Sequence, residues 1–130
     1  MEDLFENWAE LPSLEEAPAA ELAEACRAIL DMKKGQNLAV ICVEGRSDIT
    51  DYLVLCSANS STHVKALSGE LEYRLAQRGV TPLHTDGGNG QNWQVVDFAT
   101  VMVHIFDREA RAFYNLDKLY REVTTVTEEE

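Results

Sequence analysis

Gly45, Ser47, Asp48 and Asp51 stand just ahead of the apolar run Tyr52-Leu53-Val54-Leu55-Cys56-Ser57. A glycine–serine turn with carboxylates beside a strand is how nucleotidyltransferases hold metal ions for phosphoryl transfer. That chemistry has a strict geometry. Carboxylates two residues apart on a strand point to one face and can clasp a pair of divalent ions. Asp48 and Asp51 are three apart, which in an extended chain sends them to opposite faces. A third carboxylate is required on a neighbouring strand, where only Asp97 is available, and no Lys or Arg beside it would hold a triphosphate. A simpler account fits the same residues. Gly45 admits a backbone conformation closed to other residues, and Ser47, Asp48 and Asp51 can bond local backbone N–H groups in Asx- and Ser-type turns. These four positions are therefore read as a structural turn, with no catalytic residue, metal or cofactor.

Other chemistries fare worse. The segment DGGNGQN (86–92) is rich in glycine, but no helix follows to present its N-terminus to a phosphate. His63, His84 and His104 are scattered, and the G-x-S-x-G elbow of hydrolases is absent. Cys26, Cys42 and Cys56 are odd in number, form no C-x-x-C and lie in apolar stretches. They read as small hydrophobes in a reducing compartment, the cytoplasm.

Charge narrows the partners. Eleven Lys and Arg stand against 23 Asp and Glu, a net charge of −12. Such a chain is repelled by bare nucleic acid and anionic lipid, and attracted by a basic protein. No run approaches the ~20 apolar residues of a membrane span, and the acidic start MEDLFENWAELPSLEEAP fits neither a secretory signal nor a mitochondrial presequence.

The elements that carry these residues follow from periodicity. Residues 1–17 read as an acidic arm interrupted by Pro12 and fraying at its end, with docking of Trp8 as the alternative. A helix is expected over about 19–34, with Leu22, Cys26, Ile29 and Leu30 on one face and Gly35 as its stop. LAVICV (38–43) and YLVLCS (52–57) read as strands covered on both faces. Asn59, Ser60 and Ser61 open a second helix that ends by Gly79. A short strand near 81–85, then NWQVVDF (92–98) and VMVHIF (101–106) as a hairpin, complete the sheet. Asp107 caps a last helical segment anchored by Phe113, Leu116, Leu119 and Tyr120. The expected fold is α/β (α+β), a mixed five-stranded sheet with three helices in the order α-β-β-α-β-β-β-α. It forms one domain over 18–123, followed by an acidic tail at 124–130. The second strand, second helix and third strand form a βαβ unit with a right-handed crossover. Three helices cover one face of such a sheet and leave part of the other without internal cover.

On strand alternation Trp93, Val95 and Asp97 share one face of the hairpin, and Val101, Val103 and Ile105 oppose Met102, His104 and Phe106. An uncovered face with Trp, Met and His suits protein docking; the alternative, equally compatible with the pattern, is that the first or last helix covers it.

Across residues 22–122 the sequence resembles the ribosomal silencing factor family, also called RsfS or Iojap-like. The resemblance rests on Gly45-x-Ser47, Asp51-Tyr52-Leu53-Val54, Ser57-x-Asn59-Ser60 and His63-Val64. It continues with Trp93-x-x-x-Asp97, Val103-His104-x-Phe106 and Arg111-x-Phe113-Tyr114-x-Leu116-x-x-Leu119. Ala58 replaces a usual glycine, Ala99-Thr100 a common Gly-Asp, and Tyr120 a frequent Trp. The resemblance implies a fold similar to nucleotidyltransferases without their catalytic carboxylates, and a translation repressor that is not an enzyme. The implied partner is the large ribosomal subunit, held through ribosomal protein L-fourteen so that the small subunit cannot join. Some organellar relatives act in large-subunit assembly, and the family's homodimers make self-association an expectation. Within this reading Trp93 is the anchor, Val101, Met102 and His104 form the patch around it, and Asp97 meets a cation of the basic partner. The competing expectations are a dimeric interaction scaffold without a ribosomal role and, last, a metal-dependent nucleotidyltransferase.

Overall fold

The computed structural model describes residues 6–45, 50–87, 92–107 and 125–128, the last as backbone only. Apolar and β-branched runs form strands where expected: β1 (Gln36–Cys42), β2 (Tyr52–Ala58), β4 (Trp93–Asp97) and β5 (Val101–Asp107). The short β3 lies at His84–Asp86, displaced toward the C-terminus from its expected place. Two helices, α1 (Ala19–Met32) and α2 (Ser61–Ala76), match the first two expected. The third expected helix, with Phe113, Leu116, Leu119 and Tyr120, lies outside the described residues.

The sheet is mixed, but among the described residues it has six strands, in the order β3-β4-β5-β2-β1-β6. Among the described strands β2 and β5 pair in parallel and the other neighbouring pairs are antiparallel. The sixth strand, β6 (Thr125–Glu128), falls in the segment read as an acidic tail and pairs with β1. Its threonines and valine suit a strand, and the flanking glutamates concealed that signal. β3 sits at the sheet edge beyond β4 and β5, so α2 carries the chain from β2 across two intervening strands.

Both helices pack on one face. Leu30 of α1 and Leu67 and Leu71 of α2 meet Val54, Val103 and Ile105 of the sheet in a single buried cluster. The other face holds a second cluster of Ala39, Ile41, Val43, Leu53, Leu55 and Phe106, all at most 3% exposed. The centre of that face is therefore buried, as expected of β1 and β2, and partial exposure begins at Trp93 and Met102. The reason was present in the sequence: β1 and β2 are apolar at consecutive positions, which requires burial on both sides.

Local chemistry fixes the helix ends. α1 closes one residue before its expected stop, with Lys34 in the left-handed region (φ 70°) and the Gly35 N–H donating to the Leu30 carbonyl at 2.7 Å. Gly35 is needed for space instead. A Cβ there would overlap Cys56 Sγ and stand 2.9 Å from the Leu30 carbonyl oxygen. α2 opens with Ser60, whose Oγ accepts from the His63 N–H at 3.1 Å. The His63 ring joins the two helices. Its Nδ1 accepts from the Asn59 N–H (3.0 Å), which leaves Nε2–H to donate to the Lys33 carbonyl (3.1 Å).

The N-terminal arm is docked rather than frayed from Trp8 onward. Trp8 begins a short 3-10 turn (Trp8–Glu10), is 3% exposed and joins the helix-side core with Leu14. The reading of residues 1–17 as a loose tail is corrected for this part; its physical reason is taken up in the Discussion.

Candidate functional site: the open face of the β4–β5 hairpin

The two-residue connection Ala99–Thr100 sets the hairpin register. Trp93 stands opposite Phe106, Val95 opposite His104, and Asp97 opposite Met102. These six residues share the face away from the helices, because directly paired residues point the same way. Trp93, Val95, Asp97 and Met102 are partly exposed, while His104 and Phe106 are buried. Trp93 and Met102 pack against the second cluster. The available surface of this face is thus its β4 side and Met102.

Val101 does not belong to this patch. It is fully buried in the helix-side core with Val103 and Ile105. Period-2 alternation puts it opposite in sense to Met102, so the two cannot meet one partner on one face.

The Trp93 indole is half-buried and held on two sides. It stacks on Phe106 with ring centroids 5.2 Å apart and lies tilted against His104 at 5.9 Å. Its Nε1–H donates to His104 Nδ1 at 3.2 Å. His104 stacks in turn on Phe106. Burial pushes the His104 imidazole down to a pKa of about 4. It is therefore neutral near pH 7, with Nδ1 as an acceptor. Sequence reasoning placed Phe106 on this face but missed its role as the platform beneath Trp93. The two-residue connection, which alone fixes the Trp93–Phe106 pairing, was the available signal.

Asp97 has a local task. Its Oδ1 accepts from the Ala99 N–H at 2.8 Å, and the turn closes by Phe98 N–H to Val101 carbonyl (2.8 Å) and Thr100 N–H to Phe98 carbonyl (3.0 Å). The last bond and a φ of 78° at Ala99 describe a γ-turn, a strained conformation for a residue with a Cβ. Ala99→Gly is expected to raise stability by about 0.5–1 kcal/mol, the strain relieved less the greater chain entropy of glycine. Urea unfolding with an unchanged slope and a higher midpoint would register this.

Of the acidic turn, Ser47 and Asp48 lie outside the described residues. Gly45 has φ 82° with open space around it, so its conformation rather than crowding selects glycine. Asp51 acts through its backbone. Its carbonyl accepts from the Val43 N–H (2.8 Å), and the N–H groups of Asp51 and Tyr52 both donate to the Thr100 carbonyl (3.1 and 3.0 Å). The β1–β2 turn is thereby tied to the Asp97 end of the hairpin, with Trp93 at the other end. Among the described residues no group of three or more His, Cys, Asp or Glu is placed to hold a metal ion. Nor is any helix among them long and apolar enough to cross a membrane. Burial raises the Cys26 thiol far above the ordinary cysteine range, the mark of a core residue and not a nucleophile.

The mixed sheet thus carries both described helices on one face and a partly exposed aromatic patch on the other. The family model described as ribosomal silencing factor during starvation, RsfS, matches residues 15–130. A ribosomal silencing factor RsfS of Haemophilus influenzae is 35% identical over 99 residues, covering 76% of this chain and 97% of its own. That of Halalkalibacterium halodurans is 31% identical over 106 residues, covering 82% and 91%. A mouse protein named mitochondrial assembly of ribosomal large subunit protein 1 is 27% identical over 95 residues, covering 71% of this chain and 42% of its own. Among solved structures, one from Bacillus halodurans is 30% identical with a TM-score of 0.68, covering 83% of this chain and 95% of its own. One from Chromobacterium violaceum, 21% identical and covering 80% and 87%, shares the fold at a TM-score of 0.76. The chain belongs to the RsfS family of ribosomal silencing factors.

Proposed function

We propose that the protein represses translation by binding the large ribosomal subunit through ribosomal protein L-fourteen, which excludes the small subunit by steric overlap. The observation that carries this reading is a partly exposed tryptophan on the sheet face opposite α1 and α2, in a domain of the silencing-factor family. Trp is enriched among the residues that dominate binding energy. Met102 borders it, and Asp97, with one carboxylate oxygen engaged in the turn, turns its charge toward a cation of a basic partner. The net charge of −12 speeds encounter with a basic ribosomal protein and disfavours contact with bare rRNA. The Gly45 turn serves only to shape the chain. The proposed setting is the cytoplasm, and self-association between free copies belongs to the same reading.

Mixing the purified protein with separated subunits should reduce large–small joining in a sucrose gradient. Unaltered joining by folded protein would favour the scaffold reading. Trp93→Ala should weaken large-subunit binding by ~2 kcal/mol, roughly 30-fold. Wild-type affinity in folded Trp93→Ala would remove Trp93 from the interface. Large-subunit assembly is the second reading, favoured by the name of the mouse relative. It predicts accumulation of incomplete large subunits when the protein is depleted, with joining of mature subunits unchanged.

A further inference from the structure

We infer that His104 is a positioning residue, whose Nδ1 sets the Trp93 indole as a preformed anchor, and that it does not meet the partner itself. The inference rests on the docking role proposed for Trp93. His104 is 9% exposed, so it offers a partner almost no surface. What it does offer is an acceptor, 3.2 Å from the indole Nε1. Phe106 supports both rings from the same strand, at 5.2 Å from Trp93 and 5.9 Å from His104. Hydrogen bond and stack together hold the indole in one orientation before any partner arrives. Preorganisation of this kind raises affinity by removing an ordering cost from the binding step.

The same bond says what kind of pocket the anchor fits. Burying an indole N–H without an acceptor is costly. Here the acceptor lies within the protein, and the N–H points toward strand β5. The partner's receiving surface for Trp93 then needs no acceptor for the indole. An apolar cleft, rimmed by cations toward Asp97, meets the requirement.

Two variants separate positioning from contact. His104→Asn places a carbonyl oxygen near the position of Nδ1; His104→Phe keeps a ring but supplies no acceptor. Both are measured on the full chain for large-subunit affinity and, with labelled indoles, for the hydrogen exchange of the Trp93 Nε1–H, with the Trp8 indole as internal reference. His104→Asn should keep a protected Trp93 indole and bind within about 3-fold of wild type. His104→Phe should lose that protection and bind roughly 10-fold more weakly. Should His104→Phe not fold, His104→Leu takes its place. Wild-type binding by an acceptor-free variant with an unprotected indole would overturn the inference. So would weak binding by His104→Asn with the indole still protected, since that shows direct contact. Trp93→Ala run alongside distinguishes the two failures. If it binds like wild type, the docking reading itself falls, whereas weak binding by Trp93→Ala beside full binding by His104→Phe sinks the positioning role alone.

Discussion

Trp8→Ala is expected to lower the stability of the protein by about 3–5 kcal/mol, the range for removing a buried aromatic side chain from a core. A loose N-terminal tail predicts the opposite, a change within about 0.5 kcal/mol. The large figure follows from where the indole goes. Trp8 is 3% exposed among residues of the helix-side cluster. Its Nε1–H donates to the Arg74 carbonyl at 2.7 Å, so the indole satisfies a backbone group in the last turn of α2. The Arg78 guanidinium lies over the ring at 4.4 Å from its centroid, and its Nε donates to the Pro12 carbonyl at 3.0 Å. The Arg78 carbonyl in turn accepts from the Leu14 N–H (2.8 Å) and from Ser13 Oγ (3.1 Å). One arginine thus straps the arm from both its side chain and its backbone. Urea unfolding of Trp8→Ala should show the full loss as a lower midpoint. Trp8→Phe, which keeps one aromatic ring but loses the N–H and part of the buried indole, should lose an intermediate amount, about 1–3 kcal/mol. Equal midpoints for wild type and Trp8→Ala would return the arm to the status of a tail.

The arm shows why part of this fold was hard to see in the sequence. Its partners Arg74 and Arg78 lie more than sixty positions away, and no local pattern announces a contact of that range. Leu4, Phe5, Trp8 and Leu11 gave only a short helical spacing, which proline cut off. Residues 1–14 also precede the matched family region. By contrast the two helices and the strands β1, β2, β4 and β5 were legible, because each carries a full period of apolar residues and a marked boundary. Ser60, one of the three candidates Asn59, Ser60 and Ser61, is the N-cap, and the hairpin turns at Ala99–Thr100 as its two apolar runs required. β6 was missed because four residues between acidic neighbours carry little pattern. For the candidate site, alternation grouped Trp93 with Asp97 and set Met102 apart from Val101, yet Val101 was still counted in the patch; the cross-strand register, which joins Asp97 to Met102, is what removes it. Burial decided His104: a histidine on a strand face has the same sequence signature whether it meets solvent, a partner or a neighbouring indole, and only packing chooses among them.

That choice has a measurable consequence in the pH dependence of stability. In the unfolded chain His104 takes up a proton near pH 6.5, the ordinary histidine value. In the folded protein burial lowers this to about 4. Between those values the unfolded state binds more protons than the native one, so stability falls as the pH is lowered. The contribution of His104 is complete above pH 6.5, declines through the interval, and is lost by about pH 4. A gap of this size corresponds to about 3 kcal/mol. The carboxylates of the chain titrate in the same region, so the measurement must be a difference. His104→Asn, which cannot take up that proton, should unfold in urea with a stability that falls less than that of wild type between pH 6.5 and 4, by about 3 kcal/mol. A pair of parallel curves would mean that His104 is protonated as readily in the folded protein as in the unfolded one. Its Nδ1 could not then remain the acceptor of the indole N–H as the pH falls, since a protonated imidazole has only donors to offer. The gap in the curves and the protection of the Trp93 indole therefore report on one structure. The Trp93 indole is held by a histidine that burial keeps neutral near pH 7.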